Sequence, residues 1–296
     1  MDGKVIAVTG AGRGIGRAVA LDAVRNGARV VVNDYGVAVD GSEPTSEVAN
    51  AVVAEIKELG GEAVANPSSV TEMEGGESIV QSALDTWGRL DGVVCVAGIL
   101  RERMLFNMAE EEWDPVIETH LKGTFTLFRP ASALFRKQRS GTLIGFTSGA
   151  FAASVAQANY SSAKGGIVSL VRSAAAGLHK YGVTANCIAP TAKSRMSGQV
   201  PFGLEMGEPE DVAPLVSFLL GDGARHITGQ VYHINGGQIG VYNQPGIERS
   251  MWKDGRWTVD EIGRCLDTQV GQEPLPILER LEMMAQAAAA GKKPNE

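Results

Sequence analysis

Cysteine is scarce in this chain: Cys95, Cys187 and Cys265 are the only three in 296 residues. Their number is odd and no Cys-x-x-Cys or Cys/His cluster occurs, which argues against a disulfide framework or a zinc site. Cys95 and Cys187 fall in apolar runs and read as small buried hydrophobes. Histidine is almost as sparse, with His120, His179, His226 and His233 scattered without ligand spacing. No apolar run reaches the ~18 residues that a membrane span needs. The opening Met1-Asp2-Gly3-Lys4 leads straight into a strand-like segment, unlike a signal peptide, and the closing Lys293-Pro294-Asn295-Glu296 is no peroxisomal address. An excess of positive charge is missing too, since 27 Lys plus Arg face 34 Asp plus Glu, a net charge of -7. These absences set aside nucleic acid and membranes as partners. They leave a cytoplasmic protein with a small-molecule ligand as the expectation.

What the chain has in quantity is glycine, 37 residues, many of them where a strand should turn into a helix. Strand-like runs fall at residues 4–9 (KVIAVT), 28–33, 62–66, 90–96, 142–147, 184–189 and 230–234. Helix-like apolar spacing falls between them, at 16–26, 46–59, 73–86, 110–134 (one or two helices), 158–180 and 209–220. Alternating strands and helices predict an α/β fold, a single Rossmann-type doubly wound parallel sheet of about seven strands with helices on both faces. The character changes near residue 245. The expected organisation is a dinucleotide-binding catalytic domain over 1–245 and a helical C-terminal extension over 246–296. That extension carries a capping box at Thr258 and Glu261, packs on the core and ends in a partly disordered tail.

The run Gly10-Ala11-Gly12-Arg13-Gly14-Ile15-Gly16 follows the first strand and opens the first helix. Glycine there permits backbone angles that a Cβ resists and lets the chain approach a pyrophosphate closely. The helix N-terminus behind it offers unpaired N–H groups and a partial positive charge. Asp34 closes the second strand, 18 positions after Gly16. A carboxylate at that place accepts hydrogen bonds from ribose hydroxyls and repels a 2′-phosphate, so NAD is expected ahead of NADP. Arg13 is the counterweight, since a cation in the loop can meet a phosphate.

Tyr160 and Lys164 are four apart in a helix-like segment and share one face. A free tyrosine, with a pKa of about 10, is a poor base at neutral pH. A cation ~4 Å away at an effective dielectric near 20 favours the phenolate by ~4 kcal/mol, which lowers that pKa by ~3 as an upper figure. The pair can thus make a proton donor and acceptor for alcohol–carbonyl chemistry.

Together these residues resemble the short-chain dehydrogenase/reductase family from about residue 3 to 240. The likeness rests on Thr9-Gly10-x-x-x-Gly14-Ile15-Gly16, Tyr160-x-x-x-Lys164 and Asn186-x-x-Ala189-Pro190. Within the family the chain most resembles the (3R)-hydroxyacyl-CoA dehydrogenase unit of peroxisomal multifunctional enzyme type 2, through "VVVNDYG", "AGILRERM", "HLKGTF", "QANYSSAKGG" and "PEDVAPLV". The resemblance implies NAD(P)-dependent interconversion of a secondary alcohol and a ketone, with a hydroxyacyl-CoA or hydroxysteroid type of substrate. Tyr160 would exchange the proton, a nearby hydroxyl would polarise the carbonyl, and Lys164 would hold the nicotinamide ribose. Ser69 and Val70 would meet the adenine, Ala97 and Gly98 would lie along the cofactor, and Pro190 would sit near the nicotinamide amide. Specificity would lie in residues 100–107 and 193–207, and a homo-dimer or homo-tetramer is expected. The alternatives are an NADP-dependent 3-oxoacyl carrier-protein reductase and a cofactor-binding partner without catalysis.

The chain departs from the family pattern in three places. Cys95-Val96-Ala97-Gly98 stands where the family has Asn-Asn-Ala-Gly, which leaves either a looser site or an apolar repacking. His120 stands where many members have a relay Asn, and reads either as a relay through water or as a packed core histidine. The family spaces its active-site Ser thirteen before the Tyr. Here thirteen gives Thr147, and Ser148 is twelve away. Adjacent strand residues point to opposite faces, so one of the two meets the substrate. The expectation falls on Ser148, whose primary hydroxyl rotates freely whereas Thr is stiff at χ1.

Overall fold

The computed structural model describes residues 1–38, 42, 45–194, 205–273 and 275–289. Eight strands form one sheet in the order β3-β2-β1-β4-β5-β6-β7-β8. They are β1 (Val5–Thr9), β2 (Arg29–Asn33), β3 (Ala63–Asn66), β4 (Gly92–Cys95), β5 (Gly141–Phe146), β6 (Val183–Pro190), β7 (Val231–Asn235) and β8 (Gln238–Val241). The first seven run parallel, in agreement with the predicted architecture. The eighth is antiparallel to β7 across a two-residue Gly236-Gly237 turn, with Gly236 at φ +52. Sequence patterning missed β8 because it is four residues long and mostly exposed, so it carries no buried run to detect.

Each central strand is covered on both faces, which is why alternation is absent from "VIAVT", where all five residues are buried. Ile6 and Val8 pack with α1 (Gly14–Arg25), α2 (Glu47–Glu58) and α7 (Pro209–Leu220). Val5 and Ala7 pack with α3 (Met73–Trp87), α5 (Gly123–Gln138) and α6 (Ala158–Leu178) on the other side. In α6 the buried Ala163, Ile167, Val171 and Ala175 recur every fourth residue, the stripe of a helix lying on a sheet.

The expected long helix over 110–134 is interrupted. α4 (Glu110–Ile117) passes into a π-turn at Glu118–Lys122 before α5 begins. Such one-turn insertions locally re-aim side chains and concentrate at functional sites. This one buries His120, which is 1% exposed.

By compactness the chain divides into Met1–Tyr242 and Asn243–Glu296. The second unit contains α8 (Val259–Cys265) and α9 (Pro276–Ala289). Thr258 caps α8 as predicted: its hydroxyl accepts from the Glu261 N–H and the Glu261 carboxylate accepts from the Thr258 N–H. Among the described residues no helix is long and apolar enough to cross a membrane, and no group of His, Cys, Asp or Glu could hold a metal ion.

Candidate active site

In this fold the crevice opens at the carboxyl ends of the strands, where the order reverses between β1 and β4. A groove of about 520 Å³ lies there. Its walls include Gly10, Arg13, Gly14, Ile15 and Gly16 from the β1–α1 loop, Asp34 after β2, Ser69 and Val70 after β3, and Ala97 and Gly98 after β4.

Steric demand explains the glycines. Gly10 has φ +64, and a Cβ on it would stand 2.8 Å from the Ala97 backbone. A Cβ on Gly16 would meet the Gly10 carbonyl oxygen at 2.1 Å. Arg13 precedes α1 without capping it by its side chain, so no side chain there competes with an anion for the helix N-terminus. A phosphate-bearing ligand fits this cradle of close backbone and unpaired N–H groups. Asp34 is held at the rim by two backbone donors, Gly12 N–H (2.8 Å) and Gly36 N–H (2.7 Å). Behind it, buried Asn33 and Asn66 tie the ends of β2 and β3. Asn33 Nδ2 donates to the Ser68 carbonyl (2.9 Å), and Asn66 Nδ2 donates to the Ser78 and Ser82 hydroxyls. The Cys95-Val96 departure is accommodated by Thr9, whose hydroxyl accepts from the Val96 and Ala97 N–H groups (3.2 and 3.3 Å), while Cys95 packs in the core.

The second cluster forms where the end of β5 meets the first turns of α6. Thr147 is buried, and its hydroxyl donates to the Lys164 carbonyl (2.8 Å). Lys164 Nζ answers by donating to the Phe146 carbonyl (2.7 Å). These reciprocal bonds lock strand to helix and leave no Thr147 hydrogen for a substrate. Ser148, less buried than Thr147, accepts from the Ala150 N–H (3.3 Å) and lies close enough to Tyr160 to pull its phenol pKa down. Ser148, Tyr160 and Lys164 are therefore brought together, with the ammonium 5.3 Å from the centre of the tyrosine ring.

The electrostatics differ from the sequence-based estimate. Burial raises the Tyr160 phenol above its ordinary value, with the nearby Ser148 hydroxyl pulling the other way. Burial also lowers Lys164 to about 7. Desolvation disfavours both charged forms, so the Tyr160 shift is upward where a downward one of ~3 was expected from the lysine charge. Cys95 and Cys187 lie near enough to Lys164 to counter its shift slightly, and burial pushes both thiols up.

His120 joins the two clusters. A Cβ on Gly98 would stand 2.2 Å from His120 Cε1, so glycine is needed at 98 to admit the imidazole. Its Nε2 lies 2.8 Å from the Ile99 carbonyl and 3.2 Å from the Ile99 N–H, and its ring meets that of Tyr160 edge-on with centroids 5.1 Å apart. Burial and the nearby Lys164 hold it neutral, well below the usual imidazole value. Its Nδ1 is buried without a partner among the described residues. Asn159, beside Tyr160, is also buried and hydrogen-bonded. The sequence offered a packed core histidine as one of two readings of His120 but did not single out Asn159, whose carbonyl partners lie 47 and 58 positions away.

Pro190 ends β6 opposite Ile234 and is not among the groove's lining residues. Asn186, from the same motif, is a clamp on the β6–β7 connection, donating to the Ile227 carbonyl and accepting from the Gln230 N–H. Residues 195–204 of the expected specificity segment lie outside the described residues.

Comparison with known proteins decides the class. A family profile described as enoyl-(acyl carrier protein) reductase matches residues 10–238. A short chain dehydrogenase from Mycobacterium avium superposes with a TM-score of 0.83 at 44% identity, over 92% of this chain and 96% of that one. The chain belongs to the short-chain dehydrogenase/reductase family. It is accordingly an oxidoreductase of the NAD(P)-dependent kind. Among its relatives in this family, the hydroxyacyl-CoA dehydrogenase ChsB1 of Mycobacterium tuberculosis is 39% identical, over 97% of this chain and 95% of its own. The peroxisomal multifunctional enzyme type 2 of Mus musculus is 44% identical over 81% of this chain, which corresponds to 32% of that longer protein.

Proposed function

We propose that this dehydrogenase uses NAD to interconvert a 3-hydroxyacyl thioester and its 3-oxo form. The observation that carries the reading is Tyr160 beside Ser148, with the Lys164 ammonium 5.3 Å from its ring centre, joined through His120 to the wall of a groove that would take a dinucleotide. Gly10, Gly14 and Gly16 would hold the pyrophosphate, Asp34 the adenosine ribose, and Ser69 and Val70 the adenine. Ala97, Gly98 and Pro190 would flank the nicotinamide end. The nicotinamide, when bound, exchanges hydride with the carbinol carbon. Tyr160 takes the hydroxyl proton in oxidation and returns it to the carbonyl oxygen in reduction. Ser148 donates a hydrogen bond to that oxygen as its charge develops. Lys164 stabilises the phenolate form and binds ribose hydroxyls, roles that require its proton. Burial keeps Tyr160 protonated in the free enzyme, which suits it to give a proton to a ketone.

NAD is favoured by the rim position of Asp34, where a carboxylate repels a 2′-phosphate. Arg13, exposed on the same groove, supports NADP as a second reading. The thioester class is supported by the name of one relative, the hydroxyacyl-CoA dehydrogenase ChsB1. It is also consistent with three exposed apolar residues that follow the groove's Arg101 in sequence, Met104, Leu105 and Phe106, which are 41, 69 and 78% exposed. An assembly of two or four copies belongs to the same reading and is checked by light scattering.

The test is a cofactor-reduction screen of secondary alcohols with NAD and NADP, led by (3R)-hydroxyacyl-CoAs and hydroxysteroids. A 3-hydroxyacyl-CoA is expected to lead with NAD. Tyr160→Phe is expected to lower kcat by about 10³-fold or more while leaving NAD affinity nearly unchanged. An active Phe variant would sink the mechanism.

A further inference from the structure

Tyr160 stands in the first turn of α6, where helix N–H groups lack intrahelical acceptors. The residue before α6, Gln157, supplies no side-chain cap. Asn159 supplies one from inside the turn. Its Oδ1 accepts from the Tyr160 N–H at 2.7 Å. Its Nδ2 donates to two carbonyls from other parts of the chain, Arg101 at 2.9 Å and Glu112 at 2.7 Å. The side chain is wholly buried, so no water competes for these bonds. Arg101 borders the cofactor groove, and Glu112 belongs to α4. One amide therefore joins the groove's edge, the helix that leads to His120, and the backbone of the tyrosine.

The surrounding contacts strengthen the same junction. The Arg103 N–H donates to the Ala156 carbonyl at 2.8 Å, Gln157 Nε2 donates to the Glu102 carboxylate, and Ala156 adopts φ +61. The segment 99–103 is thus strapped to the start of α6, while His120 holds Ile99 on its other side and touches the Tyr160 ring. We infer that Asn159 is a positioning residue, one that sets where Tyr160 stands relative to the 99–103 segment and to the groove beside it. Fixing a reacting group to within ~1 Å is worth about 10²-fold in rate. Three buried hydrogen bonds on one amide are suited to that task. The inference rests on the reading of Tyr160 as the proton donor.

The full-length protein is labelled with 3-fluorotyrosine, and the Tyr160 resonance is assigned by its disappearance in Tyr160→Phe. Only five tyrosines are present, so the spectrum is resolvable. In Asn159→Ala this resonance is expected to move toward its denatured position. With (3R)-hydroxybutyryl-CoA, kcat is expected to fall about 10²-fold with the KM for NAD unchanged. Asn159→Asp keeps the shape and the bond to Tyr160 but turns its other oxygen on two carbonyls. It is expected to fail as badly as Ala, whereas a residue that merely fills space would tolerate it. A lowered Tm with the resonance and kcat at wild-type values overturns the inference. If Asn159→Ala does not fold, Gln157→Ala cuts the exposed end of the same strap. It is expected to shift the resonance and to lower kcat severalfold, and a wild-type result there overturns the inference equally. Turnover by Tyr160→Phe would remove the reading of Tyr160 itself. Loss in Tyr160→Phe with full activity in Asn159→Ala would remove this inference alone.

Discussion

The cofactor groove and the Tyr160 centre lie side by side and are built from opposite materials. The groove is mostly backbone: glycines that admit close approach, a helix start without a side-chain cap, and Asp34 held at the rim by two N–H groups. The Tyr160 centre is buried side chains: Lys164 at 4% exposure, His120 at 1% and Asn159 at 0%. A surface made by leaving atoms out costs little stability. A centre made by burying polar groups costs more, because each must be desolvated and then partnered. Removing the buried cation of the centre should therefore raise stability, and adding an atom to the glycine cradle of the groove should lower it.

Lys164→Met makes the largest break. Activity is expected to fall by orders of magnitude while stability rises by about 1–4 kcal/mol, because a buried cation is exchanged for an apolar chain of similar length. The sign with pH follows from its lowered pKa of about 7, against 10.5 ordinarily. Below pH 7 the lysine is charged both folded and unfolded, and the full desolvation cost applies. Between about 7 and 10.5 the folded protein holds fewer protons than the unfolded chain, so wild-type stability gains with rising pH. The variant's advantage should be greatest below pH 7 and shrink toward pH 10, as read by chemical denaturation across pH. An advantage that does not change with pH would mean that Lys164 is not desolvated as described.

Gly16→Ala, in the groove, is expected to lose affinity and stability together. Its new methyl would overlap the Gly10 carbonyl, a backbone atom that cannot swing aside, and a loss of about 3 kcal/mol is expected. Calorimetric titration with NAD and thermal melting check the two losses. A Gly16→Ala protein with wild-type affinity would show that the loop has slack.

The adjacent hydroxyls sharpen the contrast within one strand end. Ser148→Ala is expected to lower kcat by about 10²–10³-fold with little change in Tm, since it removes a donor aimed at a developing charge. Thr147→Val should do the reverse. It removes the extra bond to the Lys164 carbonyl, which keeps its helix partner, costing about 0.5–1.5 kcal/mol, with a much smaller kinetic effect. The pair of kcat and Tm values decides the assignment, and an inactive but stable Thr147→Val reverses it.

What was legible in the sequence divides along the same line. The groove could be read because steric necessity leaves glycine at fixed spacing, and because Asp34 closes a strand whose position is set by apolar content. Tyr160 and Lys164 could be read because they are four apart on one helix. His120 was left between a relay and a packed core residue, and Asn159 was not singled out, since their hydrogen-bond partners, Ile99 and Arg101, become neighbours only when the strands and helices assemble. The preference for Ser148 over Thr147 rests on the bond that ties up the Thr147 hydroxyl, and counting along a chain does not reveal that. The tyrosine pKa went wrong for a related reason. A charge–charge estimate can be made from spacing alone, whereas desolvation depends on everything packed around the pair.

The smallest expected effect tests whether the rim of the groove discriminates or only supports. Asp34 does two jobs in one carboxylate: it carries a negative charge toward the groove, and it anchors the Gly12 and Gly36 N–H groups. Asp34→Asn removes the charge and keeps one of the two acceptors, its NH2 turned on the other N–H, so the cofactor ratio reads the first job and Tm the second. Two unit charges ~4 Å apart at an effective dielectric of 20 interact by ~4 kcal/mol, and water at this half-exposed rim reduces that. A gain of about 10-fold in the NADP-to-NAD ratio of kcat/KM is therefore expected, smaller at high salt. If Asp34 were only an anchor, both cofactors would weaken together, the ratio would stay constant, and salt would not matter. A shifted ratio at unchanged Tm makes the rim a selective surface set on a backbone frame. A constant ratio at lowered Tm makes it part of the frame, and passes cofactor choice to Arg13 on the same groove.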